Sequence, residues 1–224
     1  GECGASAVQN IGAYGAEAKD ILVDVEAVEL ATGKHVVIKA EDCNYSYRQS
    51  RFKHEWKDKY VILTVSYRLS KTFTPDLDYG NIRAELERCG IDAATLTAHQ
   101  LRQGIVDIRR AKLPDPEVMG NAGSFCMNPV VDEATFERLK AEHSDLRYFE
   151  MGEGRYKIPA GWMIDQCGWK GKSLGRAGVH DKQALVLVNR GGATGEEIVN
   201  LCETIRKDVK QKFGIDIHPE VNVK

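Results

Sequence analysis

Three segments in the first third of the chain mix apolar and polar residues in runs typical of β-strands, and in the last of them Val61, Leu63, Val65 and Tyr67 follow a period of two. The segments are residues 21–30, 35–40 and 60–69. A short glycine-containing link joins the first two, so we expect them to form a hairpin. Acidic residues between the apolar positions of the first segment indicate that one face of this sheet lies in water.

A later segment has the spacing of an amphipathic helix. Leu101, Ile105 and Ile108 share one face, and Thr97 can cap the start of the helix. Two prolines within residues 112–116 forbid its continuation and mark the best candidate for a domain boundary.

The clearest predicted element is a helix near the end of the chain. Thr194 and Glu197 have the spacing of a capping box, and Gly214 is placed to end the helix. Its apolar face is formed by Ile198, Cys202, Ile205, Val209 and Phe213. The apolar run at residues 185–188 predicts a buried strand before it. Because strands and helices follow each other without a βαβ rhythm, the sequence predicts an α+β fold.

Composition excludes several classes of protein. With 42% hydrophobic and 29% charged residues in 224, the chain has enough apolar material for a core and is not of the disordered class. A net charge of −2 gives no overall electrostatic case for a nucleic acid or an anionic membrane as partner. No apolar run approaches the roughly 20 residues that cross a bilayer. No signal peptide is visible, and the first residue is not methionine, which is compatible with a fragment or a processed chain.

The six cysteines are scattered, and none belongs to a Cys-x-x-Cys pair. This distribution predicts reduced thiols and a cytoplasmic protein rather than a disulfide framework. The six histidines lack ligand spacing, so we expect no structural metal.

Several segments carry polar side chains that a plain fold does not need. In residues 47–53 they are cations interleaved with aromatic residues, and in residues 120–129, 160–171 and 218–222 they accompany glycine or proline. Residues 4–15 are rich in glycine and alanine, which would let the backbone approach a ligand closely. Arg48 can grip a carboxylate through two parallel bonds, and Ser124 presents a hydroxyl after a glycine turn. Each segment also has a plainer interpretation, such as a flexible terminus, a solvated loop, an ordinary glycine turn or a solvated tail around Glu220. His180 beside Asp181 is interpreted as a structural histidine, because no nucleophile accompanies it.

The order and spacing of these segments, with the Lys112–Pro116 turn, closely resemble the UDP-N-acetylenolpyruvoylglucosamine reductases, flavoenzymes of peptidoglycan precursor synthesis. The resemblance runs through essentially the whole chain. It implies that hydride passes from NADPH to FAD and then to the enolpyruvyl carbon of UDP-N-acetylglucosamine enolpyruvate. A proton is added at the neighbouring carbon, which gives UDP-N-acetylmuramate.

The resemblance also implies three catalytic residues. Arg48 would grip the substrate carboxylate and stabilise its enol form, Glu220 would help to polarise the same group, and Ser124 would donate the proton. Hydride addition builds negative charge that has to be met where it develops, which explains the need for such groups.

Further residues match binding positions of the family. Tyr79 matches a tyrosine that contacts the nucleotide sugar, in a loop typical of type I members. The positions that match polar contacts around the diphosphate and uridine are Lys112, Asn128, Tyr148, Lys157, Lys170 and Gln183. Phe149 is an alternative to Tyr148, because the local spacing differs by one. The residues that match the FAD-binding segment are Gly4, Ala5, Gln9, Asn10, Gly12 and Tyr14. Ala5 stands where some members have a serine.

From the resemblance we expect residues 1–113 to be the remainder of an FAD-binding domain, residues 114–213 a smaller substrate-binding domain, and residues 214–224 a C-terminal segment with Glu220. The glycine-rich first part of the family's FAD domain is not in the chain. We expect a monomer whose partners are NADPH and the UDP-sugar substrate, with no nucleic acid or membrane partner. Two alternatives stay open: another FAD-linked oxidoreductase of the same superfamily, or a non-catalytic fragment that binds a UDP-sugar.

Overall fold

Residues 3–79 and 82–223 are described by the structure, which is a computed structural model. Their contacts divide the chain into two units, Gly1–Val106 and Asp107–Lys224, and each unit is described by itself. Both units mix helices with antiparallel strands, which confirms the predicted α+β class.

An antiparallel three-stranded sheet forms the centre of the first unit. The strands of this unit are β1 (Gly12–Ala13), β2 (Ala16–Glu17), β3 (Leu22–Glu29), β4 (His35–Lys39) and β5 (Tyr60–Tyr67). The short strands β1 and β2 pair with each other, and the longer ones form the order β4-β3-β5. Val25 of β3 is fully buried and is paired with Ile38 on one side and Val65 on the other. The three predicted strands and their hairpin are therefore confirmed.

Residues 3–8 are fixed to this sheet although their sequence has no periodicity. Residues Cys3–Ala7 form a 3₁₀ turn in which Ala7 is fully buried. The Ser6 hydroxyl is hydrogen-bonded to the Tyr67 hydroxyl on β5, and the Ser50 hydroxyl donates to the Val8 carbonyl. Tertiary bonds rather than local pattern order this segment.

Two helices follow β5. They are α1 (Ile82–Arg88) and α2 (Ala98–Lys112), and α2 contains the division between the units. Thr97 caps α2 as predicted: its hydroxyl accepts from the Gln100 backbone N–H, and the Gln100 side chain accepts from the Thr97 N–H. The helix ends at Lys112, two residues before Pro114.

In its described residues, the second unit contains the end of α2, two antiparallel sheets and three further helices. Its elements are β6 (Asn121–Ser124), β7 (Val130–Asp132), α3 (Glu133–Glu142), β8 (Phe149–Glu150), β9 (Arg155–Lys157), α4 (Ala160–Gln166), β10 (Ser173–Leu174), β11 (Ala177–Val179), β12 (Val186–Asn189) and α5 (Gly195–Phe213). The sheets have the orders β10-β11-β12-β6 and β7-β9-β8. The strand predicted at residues 185–188 is confirmed as β12, which is buried along three of its four residues.

Helix α5 forms the predicted amphipathic element and covers the larger sheet. Cys202, Ile205, Val209 and Phe213 are buried in the core of the unit, as their spacing predicts. The Thr194–Glu197 capping box is present, and Gly214 ends the helix with φ +72°, in the left-handed region that favours glycine.

Removal of the α5 cap gives a first stability prediction. The Thr194 hydroxyl accepts from the Glu197 N–H, so we expect Thr194→Ala to lower the free energy of unfolding by about 1 kcal/mol. Thr204→Ala is the matched control, because the Thr204 hydroxyl only bonds back to the Asn200 carbonyl within the same helix. Urea unfolding measures both variants, and an equal loss in the two would contradict a capping role.

A pH dependence follows from Glu197. The Thr194 N–H and the Arg176 guanidinium hold the pKa of its carboxyl below the usual value. A lowered folded-state pKa stabilises the protein above the unfolded-state pKa, and this contribution is lost as pH falls below about 4.5. We expect Glu197→Gln, which keeps the cap but not the charge, to flatten the acid side of a plot of melting temperature against pH. An unchanged acid side would contradict this role.

Candidate active site

Two of the predicted catalytic residues are brought together in the second unit. Ser124 is the last residue of β6, and the C-terminal segment pairs with the residues that follow it. The Glu220 N–H donates to the Phe125 carbonyl at 2.8 Å, and the Met127 N–H donates to the His218 carbonyl at 2.9 Å. Ser124 and Glu220 therefore lie on adjacent backbone segments although 96 positions separate them in sequence.

Pro219 stands at a position of this pairing that suits a proline. Cys126 and Pro219 form the antiparallel bridge between the two hydrogen bonds, so they are a non-hydrogen-bonded pair. Proline has no N–H to donate, and at this position none is required. The missing N–H of Pro219 is therefore compatible with the register that places Glu220 opposite Phe125.

The turn before Ser124 leaves its side chain exposed. Gly123 has φ +70°, and its N–H donates to the side-chain oxygen of Asn121 at 3.0 Å. No heavy atom lies within 4 Å of the position that a Gly123 side chain would take. On the other side of β6, Ser124 pairs with Val186 of β12. Ser124 therefore stands exposed at the end of β6, where its hydroxyl is open to solvent and to a ligand that approaches it.

A buried thiol pair lies behind this strand. Cys126 and Cys202 of α5 are both buried, and the hydrogen bond with Cys202 together with burial raises the pKa of the Cys126 thiol. Cys126 is therefore a neutral thiol at physiological pH. Cys126 therefore contributes to the hydrophobic core beside β6 and does not provide a nucleophile.

Arg48 is held at the apex of a tight turn in the first unit. Ser46 and Gln49 exchange two backbone hydrogen bonds across the turn, and Arg48 adopts φ +56°. Its guanidinium donates to the Gly12 carbonyl at 2.6 Å and lies 5.3 Å from the centre of the Tyr47 ring. A non-glycine residue in this backbone region is strained by about 1–3 kcal/mol, so the contacts of the turn have to hold Arg48 in this conformation.

Lys53 is a residue of this site that the sequence did not identify. Its ammonium donates to the Arg48 carbonyl at 3.0 Å, across five positions of chain. The bond holds the turn at the strained residue itself. Lys53 was visible within the cation-rich run, but only the three-dimensional path of the turn shows which atom it binds.

The predicted cofactor segment is joined to the same turn. Asn10 is fully buried with φ +51°. Its side-chain amide donates to the Ser46 carbonyl at 3.0 Å and to Glu17 at 2.9 Å, and its oxygen accepts from the Lys19 N–H at 2.9 Å. The Asn10 side chain thus faces the protein, whereas its neighbours in the segment include exposed positions.

Those neighbours are more open. Ala5 is exposed, and nothing lies within 4 Å of the position that a Gly4 side chain would take. Gln9, Gly12 and Tyr14 are half-buried.

Tyr79 shares the first unit with the cofactor segment. Its ring packs edge-to-face against that of Tyr14, with 6.4 Å between the ring centres. A Gly15 side chain would meet the Tyr79 Cβ at 3.3 Å, so Gly15, with φ +84°, allows this close approach.

The predicted diphosphate and uridine contacts all belong to the second unit. The Asn128 side chain accepts from the Ala160 N–H at 2.9 Å, at the start of α4. A side chain at Gly161 would meet the Gln183 amide oxygen at 3.2 Å, so Gln183 lies against the same helix end. Lys170 forms an exposed ion pair with Asp165 at 3.2 Å, and Lys112 is exposed at the end of α2.

Tyr148 and its neighbour have different surroundings. The Tyr148 ring packs 4.6 Å from that of Phe136, which itself stacks on Tyr156. The Phe149 ring lies instead beneath the Lys157 ammonium, 5.0 Å from its centre. Both residues are more than one third exposed, so both alternatives stay open.

The first unit also has a surface depression of about 490 Å³. Its lining includes two cations and two carboxylates, namely Lys39, Arg68, Asp20 and Glu41. It contains none of the predicted site residues. The candidate chemistry is therefore carried by turns and strand ends rather than by this depression.

Comparison with known proteins decides the family. Residues 115–224 match the family model for the C-terminal domain of UDP-N-acetylenolpyruvoylglucosamine reductase. The reductase of that name from Bacteroides fragilis is 56% identical over 222 residues, which is 99% of this chain. The Paraburkholderia phymatum reductase is 48% identical over 220 residues, or 98% of this chain.

The chain belongs to the UDP-N-acetylenolpyruvoylglucosamine reductase family. It spans 65% and 64% of the lengths of these two reductases. A crystal structure of the reductase from Thermus caldophilus shares the fold, with a TM-score of 0.60 and 18% identity over 98% of this chain and 59% of that one. The predicted family and α+β fold are confirmed, and the individual site residues of this reductase-family chain stay predictions.

Among the residues that the structure describes, no helix of this family member is long and apolar enough to cross a membrane. Within the same part of the chain, no group of three or more His, Cys, Asp or Glu side chains could hold a metal ion.

Replacement of Asn10 tests whether its side-chain hydrogen bonds stabilise the protein beyond any effect of its backbone conformation. We expect Asn10→Ala to lower the free energy of unfolding by about 1–3 kcal/mol more than Asn44→Ala, because buried groups lose their partners only at Asn10. Asn44 is the matched control, since it is exposed and has nearly the same φ, 49° against 51°. Denaturant unfolding measures both variants. Equal losses would show that the amide bonds of Asn10 contribute nothing beyond the backbone conformation.

Proposed function

We propose that this chain contributes to the NADPH-dependent reduction of UDP-N-acetylglucosamine enolpyruvate to UDP-N-acetylmuramate in peptidoglycan precursor synthesis, in the cytoplasm. The observation that carries the proposal is the pairing of the C-terminal segment with the strand after Ser124, which puts Ser124 and Glu220 on adjacent backbones. The membership of the family supports it, because the relatives are named as reductases of UDP-N-acetylenolpyruvoylglucosamine.

The first unit has features that fit a flavin. The backbone at Gly4 is open, since no atom lies within 4 Å of where a side chain would begin, and Ala5 beside it is exposed. These two residues with Gln9, Gly12 and Tyr14 would hold FAD. Asn10 would stabilise the segment through its hydrogen bonds with Ser46 and Lys19. FAD, when bound, would supply hydride taken from NADPH.

Arg48 would meet the charge that develops during the reaction. Addition of hydride to the enolpyruvyl group places negative charge on a carbon conjugated with a carboxylate. A guanidinium binds a carboxylate through two parallel charge-assisted bonds, so Arg48 would hold that group and stabilise the enol form. The strained turn, the Lys53 contact and the Gly12 contact fix Arg48 before substrate arrives.

Ser124 and Glu220 would complete the reaction from the second unit. A serine hydroxyl is a weak acid, so it donates a proton only to a strongly basic centre held beside it. The carbanion-like carbon of the intermediate is such a centre. Glu220 would help to polarise the carboxylate, and its hydrogen-bonded backbone fixes where its side chain begins. Lys170, Gln183 and the other predicted contacts would bind the nucleotide diphosphate.

Substrate-dependent oxidation of NADPH tests the proposal. We expect the chain supplied with FAD to consume NADPH only when UDP-N-acetylglucosamine enolpyruvate is present, and to form a product heavier by two hydrogen atoms in mass spectrometry. The Bacteroides fragilis relative is the positive control. If that relative turns over while this chain binds the UDP-sugar without consuming NADPH, the chain is a binding fragment and the proposal is wrong.

A further inference from the structure

The register of the C-terminal segment decides where Glu220 stands. After α5 the segment alternates in exposure: Ile215 and Ile217 are buried, and Asp216 and His218 are exposed. In such a pattern a slip of one residue exchanges the two faces, so Asp216 would enter the core and Glu220 would change sides. The position of Glu220 therefore depends on whatever fixes this register.

Arg206 of α5 makes a direct bond to the backbone of the segment. Its Nε donates to the Ile217 carbonyl at 2.7 Å, one residue before the His218 carbonyl that accepts from Met127. A second guanidinium nitrogen bonds Glu203 at 2.7 Å, one turn earlier on the same helix. The Arg206 side chain is 26% exposed, so this charge-assisted bond is partly shielded from water.

An ion pair between α5 and the segment is a contact of a different kind. Lys210 pairs with the side chain of Asp216, and both side chains are about half exposed. Exposed pairs contribute little, and this one places no constraint on a backbone carbonyl. Arg206 instead holds the main chain itself at the start of the Ser124–Glu220 pairing.

We propose that Arg206 is a positioning residue, which fixes the register of residues 217–220 against residues 125–127 and thereby places Glu220 beside the Ser124 strand. This inference rests on the proposed function for its kinetic consequence, although the register itself can be measured without any turnover. Arg206 acts through the backbone and touches no substrate.

Arg138 provides a matched control for the test. It also donates to a backbone carbonyl, that of Phe213 at 2.7 Å, and it also pairs with a glutamate one turn away on its own helix, Glu142 at 3.2 Å. It binds the end of α5, whereas Arg206 binds the segment that carries Glu220. If loss of an arginine only weakens the fold, the Arg206 and Arg138 variants should both show the effect. If Arg206 fixes the register of the C-terminal segment, only the Arg206 variant should show it.

Amide hydrogen exchange tests the register directly. In Arg206→Met we expect the Met127 and Glu220 amides to exchange about 10- to 100-fold faster, as the loss of one charge-assisted hydrogen bond predicts, while Arg138→Met leaves them unchanged. Arg206→Lys keeps the charge beside Glu203 but not the planar fork, so it guards against a variant that fails to fold and should give a smaller increase at the same two amides. Unchanged exchange in both Arg206 variants, or equal acceleration in Arg138→Met, would overturn the proposal.

Kinetics of the flavin-loaded protein then test the consequence. We expect Arg206→Met to slow oxidation of the reduced flavin by substrate about tenfold, with reduction by NADPH unaltered, and Arg138→Met to change neither rate. Faster exchange with an unaltered oxidation rate would overturn the link to Glu220. A wild-type protein without turnover would instead contradict the proposed function, and the exchange result would still decide the register.

Discussion

Ser124→Ala is expected to leave reduction of the flavin by NADPH intact and to slow its oxidation by the enolpyruvyl substrate by about 10²–10⁴-fold, the usual contribution of a positioned proton donor. The separation of the two half-reactions follows from chemistry. Proton donation is needed only after hydride has reached the substrate, so the first half-reaction does not involve the hydroxyl. The substitution is small, and Ser124 is exposed, so the fold should be unaffected.

Ser173→Ala is the control for this prediction. Ser173 lies on β10, an edge strand of the sheet that contains β6, and it is exposed like Ser124. Stopped-flow spectroscopy of the flavin follows both half-reactions in both variants. If Ser124→Ala oxidised its reduced flavin as fast as Ser173→Ala, the proton would come from another group.

The predicted elements differ in how well their periodicity describes the face they bury: α5 buries its predicted apolar face, whereas Val61 and Leu63 of β5 are exposed next to a register shift in its pairing with β3. Helix α5 was predictable from its cap to its terminal glycine, because Thr194, Glu197 and Gly214 act locally. Helix α3 was not predicted, although Asp132 caps it by accepting from the Thr135 N–H. Its apolar contacts are few, with Phe136 and Leu139 as the buried residues, so its periodic signal is weak.

For the candidate site too, one part could be predicted from the sequence and another part could not. The residue types at Arg48, Ser124 and Glu220 were visible in the sequence, because Arg48 stands in a run of cations and aromatic residues, Gly123 precedes Ser124 and Pro219 precedes Glu220. The contacts that hold them were not, since Lys53 binds a carbonyl and Arg206 binds a carbonyl, and backbone acceptors carry no sequence signature. The role of Asn10 was also hidden: the predicted cofactor contact has a side chain that bonds Ser46, 36 positions away.

Arg48→Lys is expected to lower kcat for reduction of the substrate by about 10²–10³-fold, the usual effect of losing one preorganised donor to a developing negative charge. Lysine keeps the positive charge but has no planar fork, so it cannot hold a carboxylate through two parallel bonds. It also cannot reproduce at once the contact with the Gly12 carbonyl and the packing on the Tyr47 ring. The loss should appear in kcat rather than in the affinity for NADPH, because the charge in question exists only after hydride transfer.

Arg51→Lys separates this effect from the general cost of replacing an arginine in the same loop. The Arg51 guanidinium also lies 5.3 Å from an aromatic ring, that of Trp56, and its Nε is 4.0 Å from Glu55. The two variants therefore lose the same kind of stacking contact, and we expect Arg51→Lys to keep kcat within about threefold of wild type, since exposed ion pairs contribute little. Steady-state kinetics with thermal unfolding of both proteins make the comparison. An equal fall in kcat for the two would mean that the loop needs arginines for its structure, and that the strained turn at Arg48 has no specific part in stabilising the enol form.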